Sequence, residues 1–281
     1  MDLTYDATSR TVATAAGELH YHEAGDGPPL LLLHGSGPGV SAWANFRDNL
    51  PAFAEHFRTI ALDFPGFGTS YSCDGNPLVV APGAVTELLD ALELGAVPIL
   101  GNSMGGNVAA RVAAAEPERV TRLVTIGGLG VALFSASPPE GVKLLVQFVE
   151  DPTRERLVAW MESMVFDPEI LTDEFVDLRW RTASEPAALE DVRRMFNSRS
   201  LAAMRRAPLG APDQVATLAR IKAPTLVTWG RDDRVTPLDN VLLPLRVIRN
   251  CEVHVFPDCG HWAMIERKDE FERVVLEYLL R

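Results

Sequence analysis

The chain has 281 residues, of which 47% are hydrophobic and 23% are charged. This is the composition of a folded globular protein, with length enough for one or two domains and a large core, and it excludes general disorder. The 38 acidic residues outnumber the 26 basic ones, and the resulting formal net charge of −12 argues against binding to nucleic acid or to an anionic membrane.

The first elements predict a hairpin followed by buried strands. Residues 11–15 and 18–24 flank an Ala-Gly pair, and the second run alternates apolar residues with His20 and His22, as in a strand. Short, mostly apolar runs then predict strands buried on both faces. They lie at residues 29–33, 58–63, 97–101, 122–126, 224–229 and 252–256.

Helical patterns separate these strands, among them residues 82–94, which begin with a proline, and residues 104–115. Short buried strands that alternate with helices predict a mostly parallel central sheet flanked by helices, the α/β class. The carboxyl ends of the strands are where such sheets form their sites.

The alternation stops after about residue 130. Four helix-like segments follow, each near a Pro, Thr, Asp or Ser start signal, at residues 140–149, 153–165, 172–184 and 186–199. Strand patterns resume only at residue 224. The chain therefore predicts one α/β core interrupted by a helical lid. The predicted parts are the first part of the core (1–132), the lid (133–212) and the second part of the core (213–281).

The amino-terminal residues carry two aspartates and no apolar segment, so no signal peptide is expected, and no uniformly apolar 20-residue stretch predicts a membrane span. The three cysteines, Cys73, Cys251 and Cys259, lack metal-ligand spacing and are expected to be free thiols in a reducing cytoplasm. Since no His, Cys or carboxylate cluster has metal spacing either, no metal is expected.

The strongest motif is Gly-Asn-Ser-Met-Gly at residues 101–105, which fits G-x-S-x-G between a predicted strand and a predicted helix. This context is typical of a nucleophile elbow, in which a tight turn lifts the serine out of the sheet. The glycines let neighbouring backbone pass close by. Ser103 is therefore the predicted nucleophile.

A serine hydroxyl group needs a base, and histidine is the natural choice near neutral pH. In this architecture the chain order is serine, acid, histidine, and only His254 and His261 follow Ser103. His254 lies inside a strand pattern, which favours a structural role, whereas His261 lies in a glycine-containing loop after that strand. His261 is the predicted base. Asp232 and Asp233 follow the preceding strand, and position alone does not separate them.

A second glycine cluster, His-Gly-Ser-Gly-Pro-Gly at residues 34–39, follows another predicted strand. It matches the loop that supplies one oxyanion donor, while the residue after the nucleophile supplies the other. The backbone amides of Ser36 and Met104 are the predicted donors. The loop lacks the pattern of a phosphate-binding loop, and His34 is expected to be a structural hydrogen-bonding residue.

Together these motifs resemble those of the meta-cleavage product hydrolases, carbon–carbon bond hydrolases of the α/β-hydrolase fold that act in bacterial degradation of aromatic compounds. The resemblance runs from about residue 25 to the carboxyl terminus. Its motifs are HGSGPG (34–39), DFPGFG (63–68), GNSMGG (101–106), PPEGVK (138–143), LRW (178–180), WGRDDRVTPLD (229–239) and HVFPDCGHW (254–262). The family's catalytic aspartate matches the second acidic position of GRDDR, which implies that Asp233 is the acid.

The resemblance also implies a pocket for the substrate carboxylate. It is formed by Arg179, Asn45 and Asn102, with Trp262 lining the same pocket. A guanidinium group can bind a carboxylate through two parallel hydrogen bonds, and neutral amides add donors without extra charge. Spacing alone favours a different role for Arg179, a surface ion pair with a nearby acidic residue of its own helix.

The implied activity is serine-dependent hydrolysis of a carbon–carbon bond in a 2-hydroxy-6-oxohexa-2,4-dienoate. The products would be 2-hydroxypenta-2,4-dienoate and a carboxylic acid, with no cofactor. The resemblance further implies a small anionic substrate, a cytoplasmic location and self-association into a dimer or larger assembly. Two alternatives share the same residues: a carboxylesterase or lactonase, and a small-ligand binder without activity. Haloalkane dehalogenases and epoxide hydrolases are disfavoured, because they carry an aspartate where this chain has Ser103.

Overall fold

The computed structural model describes residues 3–206 and 212–281. Within these residues, eight strands form one sheet in the order β1-β2-β4-β3-β5-β6-β7-β8. β2 pairs antiparallel with β1 and with β4, and all other neighbours are parallel. The strands are β1 (Ser9–Ala13), β2 (Glu18–Ala24), β3 (Pro29–Leu33), β4 (Arg58–Leu62), β5 (Val97–Asn102), β6 (Val120–Ile126), β7 (Thr225–Gly230) and β8 (Cys251–Phe256).

Fourteen α-helices and two short 3₁₀ turns complete the described part of the chain. The helices of the core are α1 (Tyr5–Thr8), α2 (Ala42–Phe46), α3 (Leu50–Ala54), α4 (Pro77–Ala91), α5 (Met104–Ala115), α12 (Leu242–Val247), α13 (Ala263–Glu266) and α14 (Lys268–Leu279). Those between β6 and β7 are α6 (Glu140–Glu150), α7 (Arg154–Met164), α8 (Asp173–Ala183), α9 (Pro186–Met195), α10 (Ser198–Arg206) and α11 (Pro212–Leu218). The 3₁₀ turns are Pro168–Ile170 and Leu238–Val241.

The central strands are apolar because helices cover both faces of the sheet. In β3, β4 and β7 nearly every residue is buried, as expected of parallel strands in an α/β sheet. The prediction of the α/β-hydrolase class, with a mostly parallel sheet between helices, is confirmed. No helix in the described ranges combines the length and the apolar character needed to cross a bilayer.

Strand β2 is more buried than its alternating pattern suggests. His20 and His22 are both buried, because α1, which the sequence did not predict, packs over them. Thr8 Oγ1 lies 2.8 Å from His22 Nδ1, and Asp63 Oδ2 lies 2.8 Å from His20 Nδ1. Burial lowers the pKa of His22 to about 4, and the neighbouring His20 acts in the same direction. Both histidines therefore belong to the packing of the sheet edge.

The helix predicted at residues 82–94 begins earlier than predicted. α4 starts at Pro77, and Asn76 caps it, since its Oδ1 accepts the Leu78 N–H at 2.9 Å. Pro77 occupies the first turn, where its missing N–H costs nothing. Pro82, the predicted first residue of the helix, lies inside it.

The segment between β6 and β7 forms a helical layer whose backbone meets the core at two places near the ends of β7 and β8. Gly141 N donates to Arg234 O at 3.0 Å, and His261 N donates to Met164 O at 2.7 Å. Residues 207–211, which fall within the predicted lid, lie outside the described residues. The lid boundaries at 133 and 212 stay predictions.

Candidate active site

Ser103 sits between β5 and α5 in a conformation that few residues adopt. Its φ and ψ angles are 52° and −110°, a region that costs free energy for any side chain and that clusters at functional sites. Backbone hydrogen bonds hold this turn in place. Ser103 N donates to Ile126 O at 2.8 Å, and Ser103 O accepts from Asn107 N at 3.1 Å.

The glycines of the elbow are required by close backbone contacts. A Cβ atom on Gly101 would overlap the carbonyl group of Gly105, and a Cβ atom on Gly105 would overlap Leu33 O at the end of β3. The first turn of α5 therefore presses against the carboxyl ends of β5 and β3. This packing explains why G-x-S-x-G is tied to a strand followed by a helix.

His261 and Asp233 form a buried pair on the loops after β8 and β7. His261 Nδ1 lies 2.6 Å from Asp233 Oδ2, and the two residues are 2% and 7% exposed. The other carboxylate oxygen, Asp233 Oδ1, accepts the backbone N–H groups of Val235 and Thr236 at 2.7 and 2.8 Å. The pair is thus rigidly oriented, with the Nε2 side of the ring left for another partner.

Asp232 has different surroundings from Asp233. Its Oδ2 lies 3.1 Å from Arg231 Nη2, and both side chains are partly exposed. Of the two aspartates that position could not separate, Asp233 contacts the histidine and Asp232 contacts an arginine at the surface. Asp233 therefore has the geometry of an orienting acid.

The structure does not join Ser103 to His261 by a hydrogen bond. Two glycines in the loop after β6 lie beside these residues: Gly127 is next to His261, and Gly128 is next to Ser103. A Cβ atom on Gly127 would lie 3.3 Å from His261 Cε1, and one on Gly128 would overlap the Ser103 carbonyl group. Since catalytic hydrogen bonds often shorten only when substrate binds, this geometry keeps both residues as candidates.

A cavity above the elbow gathers the residues that the resemblance assigned to substrate binding. Ser103 lines it together with Asn45, Asn102, Arg179 and Trp262. These residues come from α2, β5, α8 and the loop before α13, so they are distant in sequence. The cavity lies between the core and the helical layer, at the carboxyl end of the sheet.

Two further lining residues, Trp160 and Met164 on α7, were not identified from the sequence. Their helical spacing with Leu157 marks a buried face of α7, but spacing does not reveal that the face meets a cavity. A Cβ atom on Gly37 would lie 2.6 Å from the Trp160 ring. The glycine-rich loop and the helical layer are therefore in direct contact.

Arg179 is only 5% exposed. Its Nη1 donates to Pro38 O at 3.3 Å, and its guanidinium carbon lies 5.8 Å from the centre of the Trp262 ring. Within residues 3–206 and 212–281, no carboxylate forms an ion pair with it. Asp177, a partner that spacing favoured, pairs with Arg154 at 2.7 Å instead. The interpretation of Arg179 as a surface ion pair is therefore wrong.

The electrostatics of Arg179 follow from this burial. Desolvation lowers the pKa of Arg179 to about 10, and the charge of Arg47 acts in the same direction. The guanidinium group is still protonated at neutral pH, so the cavity holds a buried positive charge. A buried charge is costly unless it is paired, which makes this cavity a favourable place for an anionic group.

The two asparagines are held by backbone groups and keep donors for another partner. Asn45 Oδ1 accepts Gly35 N–H at 2.8 Å, which leaves both Nδ2 hydrogens of Asn45 available. Asn102 Nδ2 donates one hydrogen to Ile126 O at 3.3 Å and retains the second. Both amides can therefore add hydrogen bonds beside Arg179.

The expected oxyanion donors, Ser36 N and Met104 N, take part in no hydrogen bond in the described part of the chain. His34 holds the loop that carries Ser36. Its Nδ1 donates to Gly35 O at 2.6 Å, and its Nε2 accepts Phe64 N–H at 3.0 Å. Burial lowers the pKa of His34, so the ring stays neutral and structural, as the sequence predicted.

Glu266, which the sequence did not single out, supports the loop that carries His261. One of its oxygens accepts Gly260 N–H at 2.8 Å, and the other accepts Phe166 N–H, from the helical layer, at 2.6 Å. Burial raises the pKa of Glu266, and these backbone donors oppose that rise. The described residues contain no group of three or more His, Cys, Asp or Glu side chains placed to hold a metal ion.

Comparison with known proteins places the chain among α/β hydrolases. A family model described as the alpha/beta hydrolase fold matches residues 28–268. The 2-hydroxy-6-oxo-6-phenylhexa-2,4-dienoate hydrolase of Comamonas testosteroni is 38% identical over 267 residues, which cover 93% of this chain and 91% of the relative. The 2-hydroxy-6-oxononadienedioate/2-hydroxy-6-oxononatrienedioate hydrolase of Paraburkholderia xenovorans is 40% identical and covers 99% and 97%.

Solved structures give the same result. The 2-hydroxy-6-oxo-6-phenylhexa-2,4-dienoate hydrolase of a Rhodococcus species superposes with a TM-score of 0.86 at 29% identity, over 97% of this chain and 98% of the other. The meta-cleavage product hydrolase of Pseudomonas fluorescens superposes with a TM-score of 0.83 at 30% identity, over 96% of each chain. Both likenesses extend over nearly the whole molecule.

Proposed function

Since the chain belongs to the α/β-hydrolase fold family and, within it, to the meta-cleavage product hydrolases, we propose that it hydrolyses a carbon–carbon bond of a 2-hydroxy-6-oxohexa-2,4-dienoate. The products are 2-hydroxypenta-2,4-dienoate and a carboxylic acid. Such dienoates arise when the ring of a catechol is opened beside its two hydroxyl groups, so the reaction belongs to the degradation of aromatic compounds.

One observation carries this proposal. The guanidinium group of Arg179 is buried in the same cavity as Ser103, and no carboxylate of the described residues forms an ion pair with it. An esterase acting on a neutral ester needs no such charge. A substrate carboxylate bound by Arg179 receives two parallel hydrogen bonds, and the amides of Asn45 and Asn102 add further donors. The dienoate end of the substrate thereby lies against Arg179, and its C6 carbonyl group reaches Ser103.

The reaction proceeds by nucleophilic catalysis. Once the dienol has taken its keto form in the site, Ser103 Oγ attacks the C6 carbonyl carbon and His261 accepts the serine proton. The amides of Ser36 and Met104 stabilise the oxyanion that develops, a contribution worth about 2.7–4 kcal/mol per donor. The bond between C5 and C6 then breaks, and its electron pair is delocalised to the C2 oxygen, which takes up a proton to give the 2-hydroxydienoate. Water finally releases the acyl group from Ser103 as the carboxylic acid.

Asp233 supports His261 in this cycle. Its carboxylate accepts the Nδ1–H group and thereby selects the ring tautomer whose Nε2 faces away from Asp233. The same contact stabilises the imidazolium that forms when Ser103 loses its proton. Trp262 closes the pocket beside Arg179, and we assign the helical layer the role of a lid over it.

Several broader expectations are part of the same proposal. The partner is a small anionic molecule, and neither nucleic acid nor membrane is involved. The three cysteines are free thiols, which supports a cytoplasmic location, since cytosolic proteins keep their thiols reduced. The proposal includes self-association into a dimer or larger assembly, which a sedimentation measurement would test, and it requires no cofactor.

The deciding experiment mixes the purified protein with 2-hydroxy-6-oxo-6-phenylhexa-2,4-dienoate and follows the loss of its visible absorbance. We expect turnover with formation of benzoate, and we expect Ser103→Ala to bind the dienoate without consuming it. Hydrolysis of a neutral aryl ester without turnover of any ring-fission product would instead identify an esterase. Binding without turnover in the wild type would identify a small-ligand binder.

A further inference from the structure

A hydroxyl group beside the Asp233–His261 pair has no role in the motifs that identified the site. Thr236 Oγ1 lies 2.7 Å from Asp233 Oδ2 and 3.2 Å from His261 Nδ1. Asp233 Oδ2 is the same oxygen that lies 2.6 Å from His261 Nδ1. The three atoms form a closed triangle of contacts around one carboxylate oxygen.

The hydrogens of this triangle can be assigned from the donor inventory. An ionised carboxylate only accepts, and the hydroxyl group has a single hydrogen to donate. The Thr236 hydroxyl group therefore donates to Asp233 Oδ2, its nearer and charged neighbour, and turns a lone pair toward His261. This arrangement requires the hydrogen on His261 Nδ1, which leaves Nε2 free to accept the proton of a nucleophile.

Thr236 holds the carboxylate at both oxygens. Its backbone N–H donates to Asp233 Oδ1 at 2.8 Å, while its hydroxyl group donates to Oδ2. The loop itself is anchored, since the indole N–H of the fully buried Trp229 donates to Thr236 O at 2.8 Å. On the far side, the hydroxyl group packs against Gly127, where a Cβ atom would lie 3.0 Å from it. The plane of the carboxylate is thereby fixed.

We propose that Thr236 is a positioning residue of the reaction, whose hydroxyl group orients the Asp233 carboxylate and limits how strongly that carboxylate attracts the proton on His261. A hydrogen bond to the charged form of an acid stabilises that form and weakens it as a base. Without the hydroxyl group, Asp233 stabilises the imidazolium more strongly. His261 then takes up its proton at a higher pH, and the active, neutral form is lost earlier as the pH falls.

Other titratable and charged groups lie around the Asp233–His261 pair, and a substitution at Thr236 leaves them in place. They are Asp232 and Arg234 on the loop of Thr236, Cys259 on the loop of His261, and Glu266 on α13. From the helical layer, the backbone carbonyl oxygen of Met164 accepts the backbone N–H group of His261. Burial raises the pKa of the Cys259 thiol, so it stays uncharged near neutral pH. None of these groups donates a hydrogen bond to Asp233 Oδ2, which distinguishes Thr236 from all of them.

The test compares Thr236→Val, which keeps the shape and removes the hydroxyl group, with Thr236→Ser, which keeps the hydroxyl group. Thr225→Val is the matched control, because Thr225 is a fully buried threonine at the opposite end of β7 whose hydroxyl group donates to Ala223 O at 2.9 Å. Two quantities are measured: the protonation midpoint of the His261 ring by NMR, and the pH dependence of kcat/KM.

For Thr236→Val we expect the His261 midpoint and the acidic limb of kcat/KM to move to higher pH by about half to one unit. This is less than the full equivalent of one hydrogen bond to a charged group, because the hydroxyl group acts on His261 through Asp233. We also expect kcat on the pH plateau to fall by about threefold to tenfold, since the carboxylate is held less firmly. Thr236→Ser and Thr225→Val should keep the wild-type midpoint. If Thr236→Val folds poorly, Thr236→Ala provides the second hydroxyl-free variant.

A wild-type midpoint and a wild-type kcat in a folded, hydroxyl-free variant would overturn the proposal. So would a Thr236→Ser variant as impaired as Thr236→Val, because the shape of the side chain would then be what matters. The inference rests on the proposed function only in taking His261 as the base. The NMR titration needs no substrate, so failure to turn over dienoates would contradict the proposed function and leave this measurement to decide on Thr236.

Discussion

At the scale of single residues, Asp232 and Asp233 are neighbours in the chain but have opposite surroundings. The carboxylate of Asp233 is buried against His261, and that of Asp232 pairs with Arg231 at the surface. Neighbouring loop residues point to different sides, so only one of two adjacent carboxylates can reach the imidazole. The exchange of a carboxylate for an amide should therefore have very different effects at the two positions.

We expect Asp233→Asn to reduce kcat by several orders of magnitude, since the same exchange costs about 10⁴ in a serine protease by favouring the wrong histidine tautomer. Asp232→Asn is the matched control and should change kcat by less than about threefold, because a surface ion pair contributes little. Steady-state kinetics on the dienoate measure both variants. The reverse order of losses would move the acid to Asp232.

Arg179 allows a second test at this scale, because its charge matters only for a substrate that carries a carboxylate. Arg179→Ala should lower kcat/KM for the dienoate at least about tenfold, the equivalent of one charge-assisted hydrogen bond. Hydrolysis of a neutral aryl ester should barely change. Arg179→Lys should restore the dienoate activity only in part, since an ammonium group cannot reproduce the two parallel bonds.

The control for Arg179 is another arginine of the helical layer, Arg154, which is exposed and paired with Asp177. Arg154→Ala should leave both activities near the wild-type values. Equal losses on the dienoate and on the ester in Arg179→Ala would mean that Arg179 holds the helical layer in place. No loss on either substrate would move the carboxylate site elsewhere.

At the scale of elements, the site arises because parallel strands end at the same edge of the sheet. The loops after β3, β5, β7 and β8 carry Ser36, Ser103, Asp233 and His261, and the helical layer adds Arg179 from above. Elements from the core and from the inserted helices therefore share one cavity. The contact of Gly37 with Trp160 is one of the places where the two layers touch closely.

Gly37→Ala should disturb this contact, because the added methyl group would lie 2.6 Å from the Trp160 ring. We expect the helical layer to shift away from the glycine-rich loop at residues 34–39, with a fall in kcat/KM of about tenfold or more, since misplacement by about 1 Å can cost about 100-fold. Kinetics and a thermal melt are the measurements. A Gly37→Ala variant with wild-type kinetics would show that the indole can move aside without effect on the site.

Gly83→Ala is the control for Gly37→Ala, since nothing lies within 4 Å of a Cβ atom at Gly83 in α4. There the exchange should raise the free energy of unfolding by up to about 1 kcal/mol, because alanine favours a helix over glycine. Activity should not change. The pair of variants separates a steric effect at the cavity from a general effect of removing a glycine.

At the scale of the whole molecule, charge predicts which dienoates are accepted. Apart from histidines, Arg179 is the only cationic residue among the buried ones in the described ranges, and residues 207–211 carry no charged side chain. The net charge of the chain is −12. If the C6 end of a substrate is buried, a second carboxylate there would find no further fully buried cation among the described residues to pair with, and an unpaired buried charge costs several kcal/mol.

We therefore expect a dienoate with a neutral C6 substituent, such as phenyl, to be turned over at least about tenfold faster, in kcat/KM, than a nonadienedioate. The comparison is made with both substrates on the same enzyme preparation. Raising the ionic strength gives a further check. The difference in kcat/KM between the two substrates should become smaller, because screening weakens the repulsion between the dianion and the acidic protein. Equal kcat/KM values would mean that the distal end of the substrate stays in solvent.

Local sequence patterns were sufficient to predict the fold class and to select Ser103 and His261 as the candidate nucleophile and base. These follow from local patterns: the period of apolar residues, the glycines around Ser103, and the chain order that leaves His261 in a loop after a strand. A short run of apolar residues indicates a buried strand without any knowledge of its neighbours. The strands predicted from such runs could therefore be located to within about two residues. The family motifs then selected Asp233, a choice that spacing could not make.

Which residues from distant elements meet depends on how those elements pack against one another. Helical spacing made Arg179 a surface residue, yet α8 turns it into the cavity, where it has no acidic partner. His20 and His22 alternate with apolar residues along β2, a pattern that predicts an exposed face, yet α1 covers both histidines. Thr236 lies within the motif at residues 229–239, but its contact with Asp233 and His261 depends on two loops folding toward each other. Burial and pairing across the fold are properties of packing, and local pattern does not contain them.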